Sequence, residues 1–180
     1  MILLARHGET DYNALPRRVQ GSLDVPLNDN GREQARSLAR EAAGHPITAL
    51  WSSNQSRAME TAAIVGAELG LEARIDERLA EANWGDWEDR LVEDIAREEP
   101  ELLERFKASE PDWRFPGGES LEEHMARTWA SLDDIAAEGA LALVVCHGGT
   151  IRCALARDHP GGIAGVGTRQ IPNGALIPLR

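Results

Sequence analysis

The residues best suited to chemistry in this sequence come in three short polar runs, each directly after an apolar stretch. They are Arg6-His7-Gly8-Glu9-Thr10, Ser52-Ser53-Asn54-Gln55-Ser56-Arg57 and His147-Gly148-Gly149-Thr150. Two arginines offer guanidinium forks that meet two anionic oxygens at once. Backbone N–H groups at a glycine-rich helix start also favour an anion. A neutral imidazole becomes a nucleophile when an acceptor holds the proton of its other nitrogen. Together these groups describe a phosphate pocket in which a histidine takes up the phosphoryl group. Singly, each has an ordinary explanation: a lone histidine after a strand is usually a hydrogen-bonded loop residue, and a lone Arg57 fits a helix surface. The convergence of three strand ends carries the reading.

The elements that must position these runs are legible from hydrophobic pattern. Ile2 to Ala5 and the Val-rich run Leu141 to Cys146 read as buried strands, Ile47 to Trp51 as a third, and Ala175 to Leu179 as a last one that Pro178 confines to an edge or an end. Helical patterns occupy Gly31 to Ala43, Ser56 to Leu69, Leu91 to Lys107 with a break at Pro100, Ser120 to Ala137 and Thr150 to Ala156. Ser120 and Glu123 form a capping-box pattern. Strands alternating with helices predict a three-layer α/β/α sandwich with a mostly parallel central sheet, in a single domain spanning residues 1–180. In such sheets ligands bind beyond the carboxyl ends of the strands, which is where all three polar runs fall.

Composition excludes several classes of function. A net charge of −11 argues against non-specific nucleic-acid or anionic-membrane binding, since both need a basic surface. An anionic small molecule must then find a local basic pocket. Arg6 cuts the apolar N-terminus too early for a signal peptide or membrane span, so a cytoplasmic location is expected. Cys146 and Cys153 read as buried thiols, not a disulfide. A cysteine hydrolase using Cys146 with His147 fails because adjacent strand residues face opposite ways. With no His-Glu-x-x-His and no Cys-x-x-Cys, a metal hydrolase is disfavoured, and neither metal nor cofactor is expected.

Taken in order, further segments extend the pattern. Asp11-Tyr12-Asn13 follows the first run; then come Gln20-Gly21, Asp24, Pro26-Leu27-Asn28, Gly31 and Gln34-Ala35. Arg57-Ala58 and Thr61-Ala62, Leu79 to Glu88, Pro116 to Ser120 and the closing His147-Gly148-Gly149 complete it. The set resembles the histidine phosphatase superfamily in its phosphoglycerate-mutase-like branch, over most of the chain. The resemblance implies His7 as the phosphorylated nucleophile, Arg6, Arg57 and His147 as the rest of the phosphate pocket, and Glu81 as proton donor, ahead of Glu77, Asp86 and Glu88. Gly148 is expected at the bound phosphate. Asn13 reads as a donor to a phosphate oxygen or a turn cap, and Gln20 as an entrance residue or a turn cap. Arg152 is expected to pair with an acid and hold the pocket. Trp84 and Trp87 are expected to shape the leaving-group side or to sit in the core, and His45, His124 and His159 to be surface or packing residues.

The shortness of the chain and the runs Asn83 to Glu88 and His147 to Arg152 are similar to the small phosphatases of that family, broad-specificity and α-ribazole phosphatases among them. The expected activity is metal-independent hydrolysis of a small phosphorylated metabolite. The alternatives are phosphoglycerate-mutase-type transfer and a non-catalytic module that binds a phosphorylated ligand. Three positions depart from the family pattern: Tyr12 stands where many members have Trp, Asn54-Gln55-Ser56 is unusually polar, and Asp89 follows Trp87-Glu88 where Gly is common. The sequence does not specify an oligomeric state.

Overall fold

A computed structural model describes residues 1–110, 112–167 and 169–179. In chain order its elements are β1 (Ile2–Arg6), α1 (Asp29–Ala42), β2 (Ala49–Ser52), α2 (Ser56–Leu69), β3 (Ala73–Ile75), α3 (Val92–Glu98), α4 (Pro100–Ala108), α5 (Leu121–Ala137), β4 (Ala142–Cys146), α6 (Gly148–Ala156), α7 (Gly162–Val166) and β5 (Leu176–Leu179), with single 3₁₀ turns at Glu77–Leu79 and Gly85–Trp87. The five strands form one sheet in the order β3-β2-β4-β1-β5. The first four run parallel and β5 pairs antiparallel with β1. Pro178 therefore lies in an edge strand, where a missing N–H costs no ladder bond.

Strand alternation builds a core on each face of this sheet. Leu3, Ala5, Leu50, Leu143 and Val145 pack against Leu38, Ala39 and Ala42 of α1 and Ala58, Ala62 and Val65 of α2. Ile2, Leu4, Val144 and Cys146 pack on the other side against Leu132 and Ile135 of α5 and Ile151 and Ala154 of α6. The result is the expected α/β/α layering. Every residue of β4 is buried, as a central parallel strand covered on both faces requires.

A third cluster lies beside the sheet. Trp84, Trp87, Phe106, Trp113 and Phe115 pack ring on ring, with centroids 4.5 Å apart for Trp84 and Phe115 and 5.5 Å for Trp87 and Trp113. This cluster roots the segments between β3 and α5, which the sequence pattern alone does not place.

Boundaries differ from expectation for local reasons. The second strand begins at Ala49 because the chain enters it through a turn, Ile47 N–H donating to His45 O at 2.8 Å. Pro100 takes the first turn of α4, where it needs no N–H partner, and so divides the acidic stretch into α3 and α4. Helix α5 has the expected capping box on Ser120 and Glu123. Helix α6 starts at Gly148, two residues earlier than its apolar pattern.

Candidate active site

Sheet register brings the three polar runs together. Arg6 is level with Cys146 and Ser52 with Val145, so the parallel strands β1, β2 and β4 end side by side. His7 N–H then donates to Cys146 O and Ser53 N–H to Val145 O, both at 3.0 Å. These contacts set His7, Ser53 and His147 next to one another, with the His7 and His147 ring centroids 5.1 Å apart. A cavity of about 410 Å³ opens here, with Arg6, His7, Asn13, Gln20, Arg57, Glu81 and Gly148 in its lining. His147 is fully buried behind it.

The turn after β1 is fixed by close backbone approach. A Cβ on Gly8 would lie 2.2 Å from Gly31 O, and one on Gly31 would lie 2.0 Å from Glu9 O, so two glycines let the loop touch the first turn of α1. Thr61 Oγ1 accepts from Gly8 N–H at 3.1 Å, and Asn173 Nδ2 donates to His7 O at 3.0 Å and to Gly8 O at 3.2 Å.

His7 Nδ1 lies 2.6 Å from Gly8 O. A carbonyl only accepts, so Nδ1 carries the proton and Nε2 keeps a bare lone pair. Burial, followed by the charges of Arg57 and Arg6, holds His7 well below the usual histidine range. The imidazole is neutral at neutral pH. His147 Nε2 lies 2.8 Å from Ser53 Oγ, and burial, then Arg57 and His7, depress it in the same way.

The two arginines are braced by backbone carbonyls instead of acids. Arg57 donates through Nη1 to Leu23 O (2.7 Å) and through Nη2 to Gly21 O (2.9 Å), and Arg6 through Nη1 to Ile171 O (2.6 Å). Arg6 Nε, Arg57 Nε and His147 Nδ1 are buried without a hydrogen-bond partner among the described residues. Buried polar atoms left so in a folded protein call for a partner, and an anion with several oxygens supplies one to each. Burial lowers Arg6 to about 10, which still leaves it a cation at neutral pH.

Glu81 reaches across from the loop after the first 3₁₀ turn to the start of α6. Its Oε2 accepts from Gly149 N–H at 3.0 Å and Oε1 from Ala82 N–H at 3.1 Å. The helix start expected to favour an anion thus engages this carboxylate through Gly149. Burial pushes the Glu81 carboxyl up, but the charges of His124 and Arg152 and the two N–H bonds outweigh it and set the group below its ordinary value. Its expected proton donation required a raised value, and the surroundings of Glu81 lower it instead.

Asn13 and Gln20 both bond to Thr10 and both lie in the cavity lining. Asn13 Oδ1 accepts from Thr10 N–H at 3.3 Å, capping the turn, and Gln20 Oε1 accepts from Thr10 Oγ1 at 2.9 Å, while both side chains line the cavity. Trp84 and Trp87 likewise serve in the aromatic cluster and in the cavity wall. His124 is buried under Glu81 with Nε2 3.1 Å from Thr150 Oγ1. Arg152 does not pair as expected: no carboxylate lies within ion-pair distance of it among the described residues, and its Nη1 makes only a long 3.5 Å contact with Arg169 O.

Several supporting residues escaped sequence reasoning. Gln55, noted as an unusual polar residue, is buried and bridges the site: Oε1 accepts from Glu81 N–H (2.9 Å) while Nε2 donates to Gly21 O (3.0 Å). Arg127 of α5 clamps the Glu81 loop by donating to Arg78 O, Ala80 O and Glu81 O, and is itself paired with Glu119. Asn173 belongs to a loop near the end of the chain that carries no motif. The other two departures meet each other: Tyr12 Oη donates to Asp89 Oδ1 at 2.6 Å, and Asp89 has φ of 63°, the left-handed conformation that explains why glycine suits this position.

With this geometry in view, the comparisons with known proteins agree on one family. The family model described as "Histidine phosphatase superfamily (branch 1)" matches residues 2–180. Phosphoglycerate mutase-like protein 4 of Arabidopsis thaliana is 39% identical over 164 residues, which cover 88% of this chain and 71% of the relative. Probable phosphoglycerate mutase GpmB of Serratia proteamaculans is 36% identical over 154 residues, covering 84% and 71%. Among solved structures, a mycobacterial glucosyl-3-phosphoglycerate phosphatase superposes with a TM-score of 0.86 at 28% identity, covering 97% of this chain and 87% of that one. The run Arg6-His7-Gly8, weak as a motif by itself, stands at a strand end of a chain that belongs to the histidine phosphatase superfamily, branch 1.

Proposed function

We propose that this chain is a cytoplasmic phosphomonoesterase that hydrolyses a small phosphate ester through a phosphohistidine on His7, without a metal ion. The observation that carries the reading is the state of His7: neutral, with its Nδ1 proton held by Gly8 O and its Nε2 bare, beside two arginines whose Nε groups lack partners.

In the first step His7 Nε2 forms a bond to phosphorus as the bond to the alcohol oxygen breaks. Arg6, Arg57 and His147 meet the phosphoryl oxygens, where charge spreads in this reaction and where positioned donors achieve most of the catalysis. Glu81 gives its proton to the departing oxygen. Its lowered value leaves Glu81 ionised at neutral pH, so the proton arrives with the ester. A phosphate dianion beside a carboxylate raises the carboxyl's proton affinity. In the second step Glu81 takes a proton from water as the water oxygen attacks phosphorus and His7 Nε2 leaves. Inorganic phosphate then carries that proton away, leaving neutral His7 and ionised Glu81 as at the start.

The names of the mutase-like relatives favour a second reading, in which the phosphohistidine returns its phosphoryl group to a sugar acid. The glucosyl-3-phosphoglycerate phosphatase among the structural relatives favours hydrolysis. The test is hydrolysis of p-nitrophenyl phosphate in EDTA from acidic to neutral pH against a His7→Ala control. Activity equal to that control refutes the enzyme reading, and activity abolished by EDTA refutes metal independence. With 3-phosphoglycerate and 2,3-bisphosphoglycerate, rapid 2-phosphoglycerate formation with little free phosphate overturns hydrolysis in favour of transfer.

A further inference from the structure

Ser53 follows the last residue of β2 and is fully buried. Its N–H donates to Val145 O at 3.0 Å, which pins it beside β4 two residues before His147. Its carbonyl is held as well, by Ser52 Oγ donating at 2.8 Å. The Ser53 hydroxyl has two contacts among the described residues. Gln55 N–H donates to it at 3.3 Å, and His147 Nε2 lies 2.8 Å away.

A buried hydroxyl has one proton to give and needs an acceptor for it. The Gln55 N–H is itself a donor, so His147 Nε2 is the acceptor that the Ser53 hydroxyl can reach among the described residues. A proton on Nε2 would set two N–H donors on one oxygen and leave the hydroxyl proton with no acceptor. Nε2 therefore accepts. Burial, then the charges of Arg57 and His7, keep His147 uncharged at neutral pH, and an uncharged imidazole has one ring proton. With Nε2 accepting, that proton sits on Nδ1. This is the atom of His147 that is buried without a partner, in the company of Arg6 Nε and Arg57 Nε. All three are then N–H donors, as the oxygens of an anion require. The other tautomer would turn a bare lone pair toward those oxygens and repel them.

We propose that Ser53 is a positioning residue for phosphoryl transfer: its hydroxyl donates to His147 Nε2 and holds the ring proton on Nδ1, where it meets a phosphoryl oxygen. The inference rests on the phosphomonoesterase reading and adds to it the device that makes an uncharged His147 a donor. Ser53 acts through His147, and the alcohol part of the ester plays no part in the effect.

The experiment reads the tautomer directly, by nitrogen-15 NMR of histidine-labelled protein in phosphate-free buffer at neutral pH, for wild type and Ser53→Ala. The His147 signals are assigned by their loss in His147→Gln or His147→Asn. Wild type should show His147 with a protonated Nδ1 and a bare Nε2, and Ser53→Ala should show protonated Nε2 as well. In parallel, kcat/KM of Ser53→Ala should fall about fivefold to tenfold, the size of one neutral hydrogen bond. The factor should be the same for p-nitrophenyl phosphate and glycerol phosphate, because the phosphoryl oxygens are common to both.

A protonated Nε2 in wild-type His147 overturns the proposal from the wild-type protein alone, whether or not the variant folds. A proton that stays wholly on Nδ1 in Ser53→Ala overturns the assignment to Ser53. A loss confined to the alkyl ester, or no loss on either ester, overturns the route through the phosphoryl oxygens. Hydrolysis of neither ester by wild type above the His7→Ala background overturns the phosphatase reading, while the spectra still report the tautomer.

Discussion

Gly149→Ala separates the proton-donor role of Glu81 from the stability of the fold. A Cβ at this position would lie 2.1 Å from Glu81 Oε1 and 3.0 Å from its Cδ. Relief to an ordinary contact of about 3.4 Å moves the carboxylate by more than an ångström, and the flexible end of one side chain is all that must shift. The helix itself favours alanine by up to about 1 kcal/mol, offset by loss of the charge-assisted Gly149 N–H bond at about 1.5–3 kcal/mol. Melting should therefore fall by no more than about 8 °C. Catalysis should suffer more, since an ångström of misplacement costs on the order of 10²-fold. The loss should depend on the alcohol: p-nitrophenolate leaves without a proton, whereas an alkoxide does not. Comparing kcat/KM for p-nitrophenyl phosphate and glycerol phosphate, the variant should lose about 10²-fold on the alkyl ester and much less on the aryl ester. Equal losses on both, or none on either, would refute the assignment of Glu81 as proton donor.

Other expectations follow from the same geometry. His7, His124 and His147 are all held below their unfolded value near 6.5, so stability is fully present above about pH 6.5 and is lost as pH falls toward the folded values. Each contributes up to about 1.4 kcal/mol per pH unit, and urea unfolding between pH 7 and 5 measures the slope; an unchanged midpoint would contradict their neutral burial. Gln55→Ala leaves the Glu81 N–H without its partner, which should cost roughly 2–4 kcal/mol in urea unfolding and lower activity on alkyl esters more than on aryl ones. Asp89→Gly releases a residue at φ of 63° but removes the acceptor of Tyr12 Oη, two effects of about 1 kcal/mol that oppose each other, so its midpoint should stay close to wild type while Tyr12→Phe loses about 1 kcal/mol.

What the sequence revealed depended on how local the signal was. The continuous apolar run of β4 and the Ser120 capping box are written in adjacent residues, and both were legible. Strand β3 is only Ala73–Ile75, with two of its three residues exposed, too short to show a period. Helix α7, Gly162–Val166, is one glycine-rich turn and equally silent. In the site, Arg6, His7, Arg57 and His147 follow strands whose parallel register could be guessed, and the structure brings them together. Asn173, Gln55 and Arg127 act through contacts 26 to 166 positions away in sequence, and no spacing rule reaches that far. The state of Glu81 was the least legible feature, because it is set by burial and by N–H groups and charges brought from α5 and α6.

The most direct test of the account traps the phosphorylated enzyme. Glu81→Gln mixed with p-nitrophenyl phosphate can expel the good leaving group but lacks the base that activates water, so the intermediate should accumulate. After an alkaline quench, which preserves phosphohistidine, peptide mass spectrometry should find one phosphoryl group on His7 and none on His147, with a burst of p-nitrophenol equal to enzyme. A phosphoryl group on His147, or turnover without any phosphorylated His7, would contradict transfer through His7 Nε2.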